Sequence, residues 1–263
     1  MNHFLLTRFN VTVPSWKATH KGQTLRDDAW MENRLLLFKK YCLPSVVNQS
    51  DKNFRWLIYV AANTKENYKE ELEKLVATYK FVKLTYVTEE VHYETAMRAD
   101  VLAKSETSYV MTSRMDNDDL LHQDYIQSIQ KAAIEKHNVV IDIPDGYQII
   151  GQKEKYLCKA YRNSFNPFIS LVEHRDQLKT VYKEEHKHFQ KFSDVVVLND
   201  QRLWIEFVHD YNMKNQSDYK AVVINELDGK RFGLEGVLDS DEGMKRLDGF
   251  RRWMYRMKRI IKR

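Results

Sequence analysis

Ser108 to Leu121 reads SYVMTSRMDNDDLL. A short apolar run, rich in β-formers, ends abruptly in Asp116, Asn117, Asp118 and Asp119. Carboxylates packed this closely repel one another unless a positive charge sits among them. The run SYVMTS predicts a β-strand, and LLHQDYIQSIQKAAIEKH behind it has the spacing of an amphipathic helix. A strand, an acidic loop and a helix in that order form the repeating unit of an α/β sheet, whose ligands collect beyond the carboxyl ends of the strands.

The same alternation extends outward from this unit. HFLLTRF is a first strand ending at Asn10, and WMENRLLLFKKYCLPSVVNQ is a helix interrupted or ended near Pro44. FRWLIYV and FVKLTYV are strands on either side of the helix TKENYKEELEKLVATY, with Thr64 placed to cap it. YETAMRADVLAKS is a further helix. After residue 140 the pattern loosens. NVVIDIP and YQIIG flank Asp145-Gly146, a hairpin signal, and KYLCKAY and DVVVLND read as strands. SLVEHRDQL and QRLWIEFVHDYN read as helical. The expected fold class is α/β, a mainly parallel central sheet flanked by helices with a small antiparallel part in the second half. No Pro/Gly/Ser linker divides it, so residues 1–240 form one domain, with 1–120 as a nucleotide-binding half, 121–240 as an acceptor-side half, and 241–263 as a C-terminal helix.

Several chemistries could explain the acids. Capping a helix that begins near Leu120 accounts for one aspartate but not three. A calcium-binding loop starting at Asp116 needs Gly at 121 and Glu at 127, where this chain has Leu121 and Gln127. An aspartyl-phosphatase nucleophile would abut the apolar run directly, whereas Ser113 and Arg114 intervene here. A hard divalent cation, Mg²⁺ or Mn²⁺, holding substrate phosphates remains.

The chain resembles the GT-A glycosyltransferases, and within them the bacterial family described as putative rhamnosyltransferases. The matching pieces are LLTRFNV, NRLLLFKKYCLPSVVNQ, SRMDNDDLL, NPFISLVE and NDQRLWIEFVHDYN, in this order along nearly the whole chain. The resemblance implies a GT-A fold and transfer of a sugar from a nucleotide-diphosphate donor to a glycan or lipid-linked acceptor in bacterial surface polysaccharide synthesis. It implies a DxD-like site in which Asp118 ligates Mn²⁺ or Mg²⁺ and Asp116 lies nearer the ribose or donor sugar and shares in the metal site. His209 would complete the metal shell, and an imidazole ligand favours manganese.

The resemblance also places Asp200 as the base that takes the acceptor proton in an inverting displacement, with Glu173 as the second candidate and His174 a weaker third. Asn199-Asp200 alone also reads as a helix cap. Arg8 and Asn10 at the first strand end, Arg98 before the acidic strand, and Arg114 and Asn117 around Asp116 are the expected nucleotide-sugar contacts. Guanidinium groups suit phosphate oxygens. Two alternatives stand beside this reading. A sugar-1-phosphate nucleotidyltransferase would want a Gly-rich basic loop after the first strand, but RFNVTVPSWKATHKGQTLR has one glycine. A non-catalytic protein bound to a membrane surface is the other.

That last class comes from the tail. Arg246 to Arg263 holds eight Arg/Lys against Asp248, a net +7 that leaves about −2 for the rest of a chain whose total is +5. Leu247, Phe250, Met254, Met257 and Ile261 recur at helical steps within it, which suits either an anionic membrane surface or a helix packed on the domain. Nucleic acid is not expected as a partner, because the body shows no basic patch. Cys42 and Cys158 read as isolated buried thiols, and no stretch has the pattern of a leader or a membrane span. These features predict a cytoplasmic protein, either free or peripheral on the inner face of the membrane.

Overall fold

The computed structural model of the chain describes residues 1–13, 25–152, 155–199, 201–212 and 217–261. Its centre is a seven-stranded sheet of β1 (Asn2–Arg8), β2 (Arg55–Ala61), β3 (Val82–Val87), β4 (Tyr109–Arg114), β6 (Val139–Asp142), β9 (Ser170–His174) and β10 (Val195–Val197). The strand order is β10-β6-β9-β4-β1-β2-β3, and β9 alone runs against its neighbours. The order reverses at β1, which has β2 on one side and β4 on the other, so the crevice for a ligand opens where these strands end.

Strand alternation assigns the two faces of this sheet. Leu5, Trp56, Ile58 and Met111 pack against α1 (Asp28–Leu37), α3 (Glu66–Val76) and α5 (Tyr125–Ala132). Phe4, Leu6, Leu57, Tyr59 and Val110 pack against Met97 and Val101 of α4 (Tyr93–Lys104). The helix expected to falter at Pro44 instead continues from α1 through a π-helical turn at Phe38–Cys42 into α2 (Leu43–Val47). Pro44 donates no hydrogen bond, and in a regular α-helix its ring would press on the carbonyl of Lys40. The wider turn relieves that contact. It also swings Leu37 and Tyr41 toward the second sheet, so one rod serves two cores.

The second sheet is ordered β12-β8-β7-β11-β5, built from β5 (Leu120–Leu121), β7 (Asp145–Gln152), β8 (Lys155–Arg162), β11 (Trp204–Val208) and β12 (Val222–Val223). A hairpin of β13 (Glu226–Asp228) and β14 (Val237–Asp239) leads into α6 (Glu242–Ile261). Asp241 starts that last helix by accepting the Met244 N–H at 3.0 Å.

Five local expectations are corrected. Leu120 and Leu121 are not helical: they pair antiparallel with Ile205 and Trp204, and α5 begins only at Tyr125. Neither Asp118 nor Asp119 therefore caps a helix. WIEFV, expected to be helical, is β11, and SLVEH is β9. Nearly every residue of both is buried, so neither shows the two-residue alternation that marks a strand in sequence. Asp145-Gly146 is no turn, because both residues lie in β7 while β6 belongs to the other sheet. Gly146 is required by contact instead, since a Cβ there would sit 2.3 Å from the indole of Trp204. Thr64 does not cap α3, as its hydroxyl donates to the Ala61 carbonyl and accepts from Asn10.

The Gly146 contact is open to test. Gly146→Ala is expected to lower stability by about 1–3 kcal/mol through overpacking against Trp204. An unchanged urea midpoint would mean that β7 and β11 separate freely there.

Candidate active site

The acidic loop leaves β4 beneath the end of β1, tied by the Met115 N–H to the Leu6 carbonyl at 3.2 Å. Asn117 is spent on structure: its amide donates to the Phe9 carbonyl at 2.9 Å and its oxygen accepts from Arg34 Nη1 at 3.0 Å. Arg34 also reaches Asp118 Oδ2 at 2.6 Å and the Tyr211 carbonyl at 3.3 Å, and its guanidinium lies over the Trp30 ring. The cation that the four acceptors demand is thus a buried arginine from α1.

Two further groups converge on the same oxygen. His209 Nε2 stands 2.8 Å from Asp118 Oδ2, and the Asn212 amide donates to it at 3.0 Å. His209 Nδ1 accepts the Tyr211 N–H, so Nε2 carries the ring proton and donates to Asp118. The histidine sits in the loop after β11 rather than on the expected helix, and here it orients the aspartate. Burial opposes the charge on Asp118, but Arg34 and His209 outweigh it and hold the carboxyl down to about 2. Its other oxygen, Oδ1, makes no hydrogen bond with any described residue.

Asp119 behaves oppositely. Its Oδ1 accepts the Phe207 N–H at 3.0 Å, while Oδ2 is buried with no partner among the described residues. Burial, with Asp118, Asp116 and Glu206 nearby, pushes this carboxyl well above the usual range. The third acid, Asp116, is partly exposed and 3.7 Å from Arg8 Nη2.

A cleft of about 870 Å³ opens over these residues. Its floor carries Arg8, Arg114, Asp116 and Asp118, and its far wall carries Glu206 and Asp218 from the second-sheet side. The guanidiniums of Arg8 and Arg114 each lie 4.9 Å from the centre of the Tyr182 ring. That geometry holds the two like charges in place by cation–π attraction. Arg114 is buried and makes no ion pair or side-chain hydrogen bond with any described residue. A buried guanidinium without a counter-charge, facing a cleft, is an anion site in waiting.

The remaining expected residues scatter. Asn10 lines the cleft, but its side chain clips β1 to the end of β2 through Thr64 and the Ala61 N–H. Arg98 faces away, donating Nε to the Leu178 carbonyl at 2.7 Å beside a separate smaller pocket. Glu173 is corrected from base to brace. It is fully buried in β9, accepts from the Thr180 N–H, and pairs with Lys183 at 3.0 Å. It does not line the cleft. Asp200 lies outside the described residues.

Of the cleft carboxylates that the sequence reading did not name, Glu206 lies near Asp116 and Asp118. Glu206, in the middle of β11, has Oε2 held by the Gln148 amide at 2.7 Å. Burial pushes its carboxyl up to about 7, aided by Asp118, Asp116 and Asp218 and resisted by the Gln148 hydrogen bond. The available signal was a lone acid inside the apolar run WIEFV, which a helical reading places on a solvated face.

For a divalent cation the donor set is small but apt. No group of three His, Cys, Asp or Glu gathers among the described residues, so the chain offers Asp118 Oδ1 and the Asp116 carboxylate. Two carboxylates completed by substrate phosphates are a common arrangement for a hard cation. His209 would join them only by giving up its bond from the Tyr211 N–H.

The Arg34–Asp118 pair yields a test. Arg34→Met leaves a buried aspartate short of its cation and is expected to cost about 3–5 kcal/mol. In the parent chain the depressed carboxyl contributes stability that is complete above about pH 4 and lost as the pH falls toward about 2. In the variant Asp118 takes up a proton more easily, so the deficit should shrink between pH 7 and pH 4. A deficit constant over that range, measured by urea denaturation, would show that another contact was lost.

Comparison with known proteins follows this geometry. No curated protein is similar to the chain at a significant level. Among solved structures, Staphylococcus aureus TarS 1–349 superposes with a TM-score of 0.46 at 14% identity, covering 79% of this chain and 60% of that one. TarS 1–349 in complex with UDP-GlcNAc gives 0.43 at 13% identity, covering 83% and 60%. A mannosyltransferase from Pyrobaculum calidifontis, in complex with GDP-Man and Mn²⁺, gives 0.43 at 11% identity, covering 81% and 58%. The chain therefore spans about three fifths of the length of these structures. Residues 2–221 match the family described as Putative rhamnosyl transferase, and the chain belongs to that family.

Proposed function

We propose that this chain transfers a sugar from a nucleoside-diphosphate donor to a hydroxyl of a glycan or lipid-linked acceptor, in the assembly of a bacterial surface polysaccharide. The observation that carries the reading is the pairing of opposite charges at the β1/β4 switch point. Arg8 and Arg114 face the same cleft as Asp116 and Asp118. The arginines suit the diphosphate oxygens, with Arg114 supplying the guanidinium that no described residue neutralises. Asp116 and Asp118 would hold Mn²⁺ or Mg²⁺, which when bound adds positive charge to the diphosphate and makes it a better leaving group.

Glu206 is the base in this reading. A carboxyl near 7 is matched to taking a proton from an alcohol at neutral pH, and its second oxygen is left for the acceptor while Gln148 holds the first. The acceptor hydroxyl gives its proton to Glu206 and its oxygen attacks the anomeric carbon. The carbon–oxygen bond to the diphosphate breaks, the nucleoside diphosphate departs, and the anomeric centre is inverted. Asp200 is the competing base from the sequence.

A panel of nucleotide sugars with Mn²⁺, scored for transfer and hydrolysis, tests the reading. Asp118→Ala should abolish turnover. Glu206→Gln, which keeps the Gln148 contact, should lower kcat by ~10²–10⁴-fold with KM little changed. The parent rate should rise with pH through about 7 and level off, because the base works deprotonated, and the variant should lack that limb. Arg114→Met should weaken nucleoside-diphosphate binding about tenfold by calorimetry. Failure of every nucleoside diphosphate to bind, with or without Mn²⁺, sinks the enzyme reading. A retained anomeric configuration, or full activity in Glu206→Gln, removes Glu206 from its role.

A further inference from the structure

The C-terminal helix α6 is attached to the domain by its polar side. Lys159, fully buried in β8, donates to Asp248 at 2.6 Å, to Ser217 at 2.7 Å and to the Asp218 carbonyl at 3.3 Å. Arg252, one turn on, pairs with the same Asp248 carboxylate and donates to the Ala221 carbonyl. Tyr255 completes the contact by stacking on Tyr219, ring centres 5.3 Å apart. At about 100° per residue, Asp248, Arg252 and Tyr255 share one stripe of the helix.

The apolar residues occupy the other side. Leu247, Phe250, Trp253, Met254 and Met257 fall in a sector centred roughly opposite that stripe. All five are exposed, Phe250 at 59% and Trp253 at 54%. A helix docked on its own domain normally buries its apolar face, and this one turns it outward. Such an outward patch marks a partner.

We propose that the outward face of α6 seats on an anionic lipid bilayer. Charge complementarity selects this occupant. Residues 246–263 carry a net +7, and exposed Arg246 and Arg251 accompany the apolar sector. Apolar insertion combined with attraction to anionic headgroups is how interfacial helices bind. A second copy of the chain would meet the same +7 and be repelled. Tyr219 and Tyr255, on the domain-facing side of α6, also line the active cleft, so docking of the opposite side holds the cleft about one helix diameter from the lipid surface. Resting on the glycosyl-transfer reading above, this makes the acceptor one presented by the membrane. Bilayer binding itself needs no activity, so the two can fail separately.

Co-sedimentation of the full chain with vesicles tests the docking. Binding to phosphatidylglycerol/phosphatidylcholine vesicles should exceed binding to pure phosphatidylcholine at least tenfold and weaken at 0.5 M salt. The double variant Phe250→Asp, Met254→Asp, changed only at exposed positions, should lose at least tenfold in vesicle binding while its thermal midpoint and nucleoside-diphosphate affinity hold. Equal sedimentation with neutral and anionic vesicles overturns the proposal. So does unchanged binding by the variant, or a parent dimer that the variant converts to monomer.

Discussion

The buried pair between Arg34 and Asp118 is the contact on which the site depends. It joins α1, the acidic loop after β4 and the end of β11, since Arg34 also holds the Asn117 side chain and the Tyr211 carbonyl. Removing two such charges from water is costly, and the cost is offset by the close pairing and by the hydrogen bonds that Asn117, the Tyr211 carbonyl, His209 and Asn212 add around it. The consequence is an aspartate whose charge and direction are set before any ligand arrives. His209 and Asn212 complete that enclosure, leaving one Asp118 oxygen for chemistry.

Carboxylates that the fold brings together are driven to opposite behaviour by their surroundings. Asp118 has a guanidinium within hydrogen-bond range and stays ionised to about 2. Glu206 has only a neutral amide and several acids for company, and is pushed up to about 7. Asp119, buried beside both, is raised as well. The transfer proposed above needs one fixed negative charge and one proton acceptor near neutrality, and the same residue chemistry supplies both. The spatial division matches: Asp118 and the arginines come from the end of the parallel sheet, and Glu206 from the second sheet.

α6 extends this division to the outer surface. Its ionic side is consumed by Lys159 in β8, which leaves the apolar side for something other than the domain. No helix among the described residues is long and apolar enough to cross a membrane.

How much of this was legible in advance depended on whether local pattern or distant contact decides a residue's place. The parallel half could be read directly: strands β1 to β4 and helices α3 and α4 follow their periodicities, and the acids lie at the strand end where chain order alone puts them. The basic tail was also plain in composition. What sequence did not disclose are matters of partnership. WIEFV and SLVEH are strands because neighbouring strands pair with both their edges, and the burial of both their faces erases the alternation that would have revealed them. Glu206 faces the cleft only because β11 is extended and lies beside Gln148, and Glu173 is a brace only because Lys183 and the Thr180 N–H enclose it. Sequence by itself determined the α/β order and the family. Tertiary structure decided which carboxylate meets a cation, which keeps its proton, and which side of α6 faces out, because each depends on groups distant in the chain that meet only when it folds.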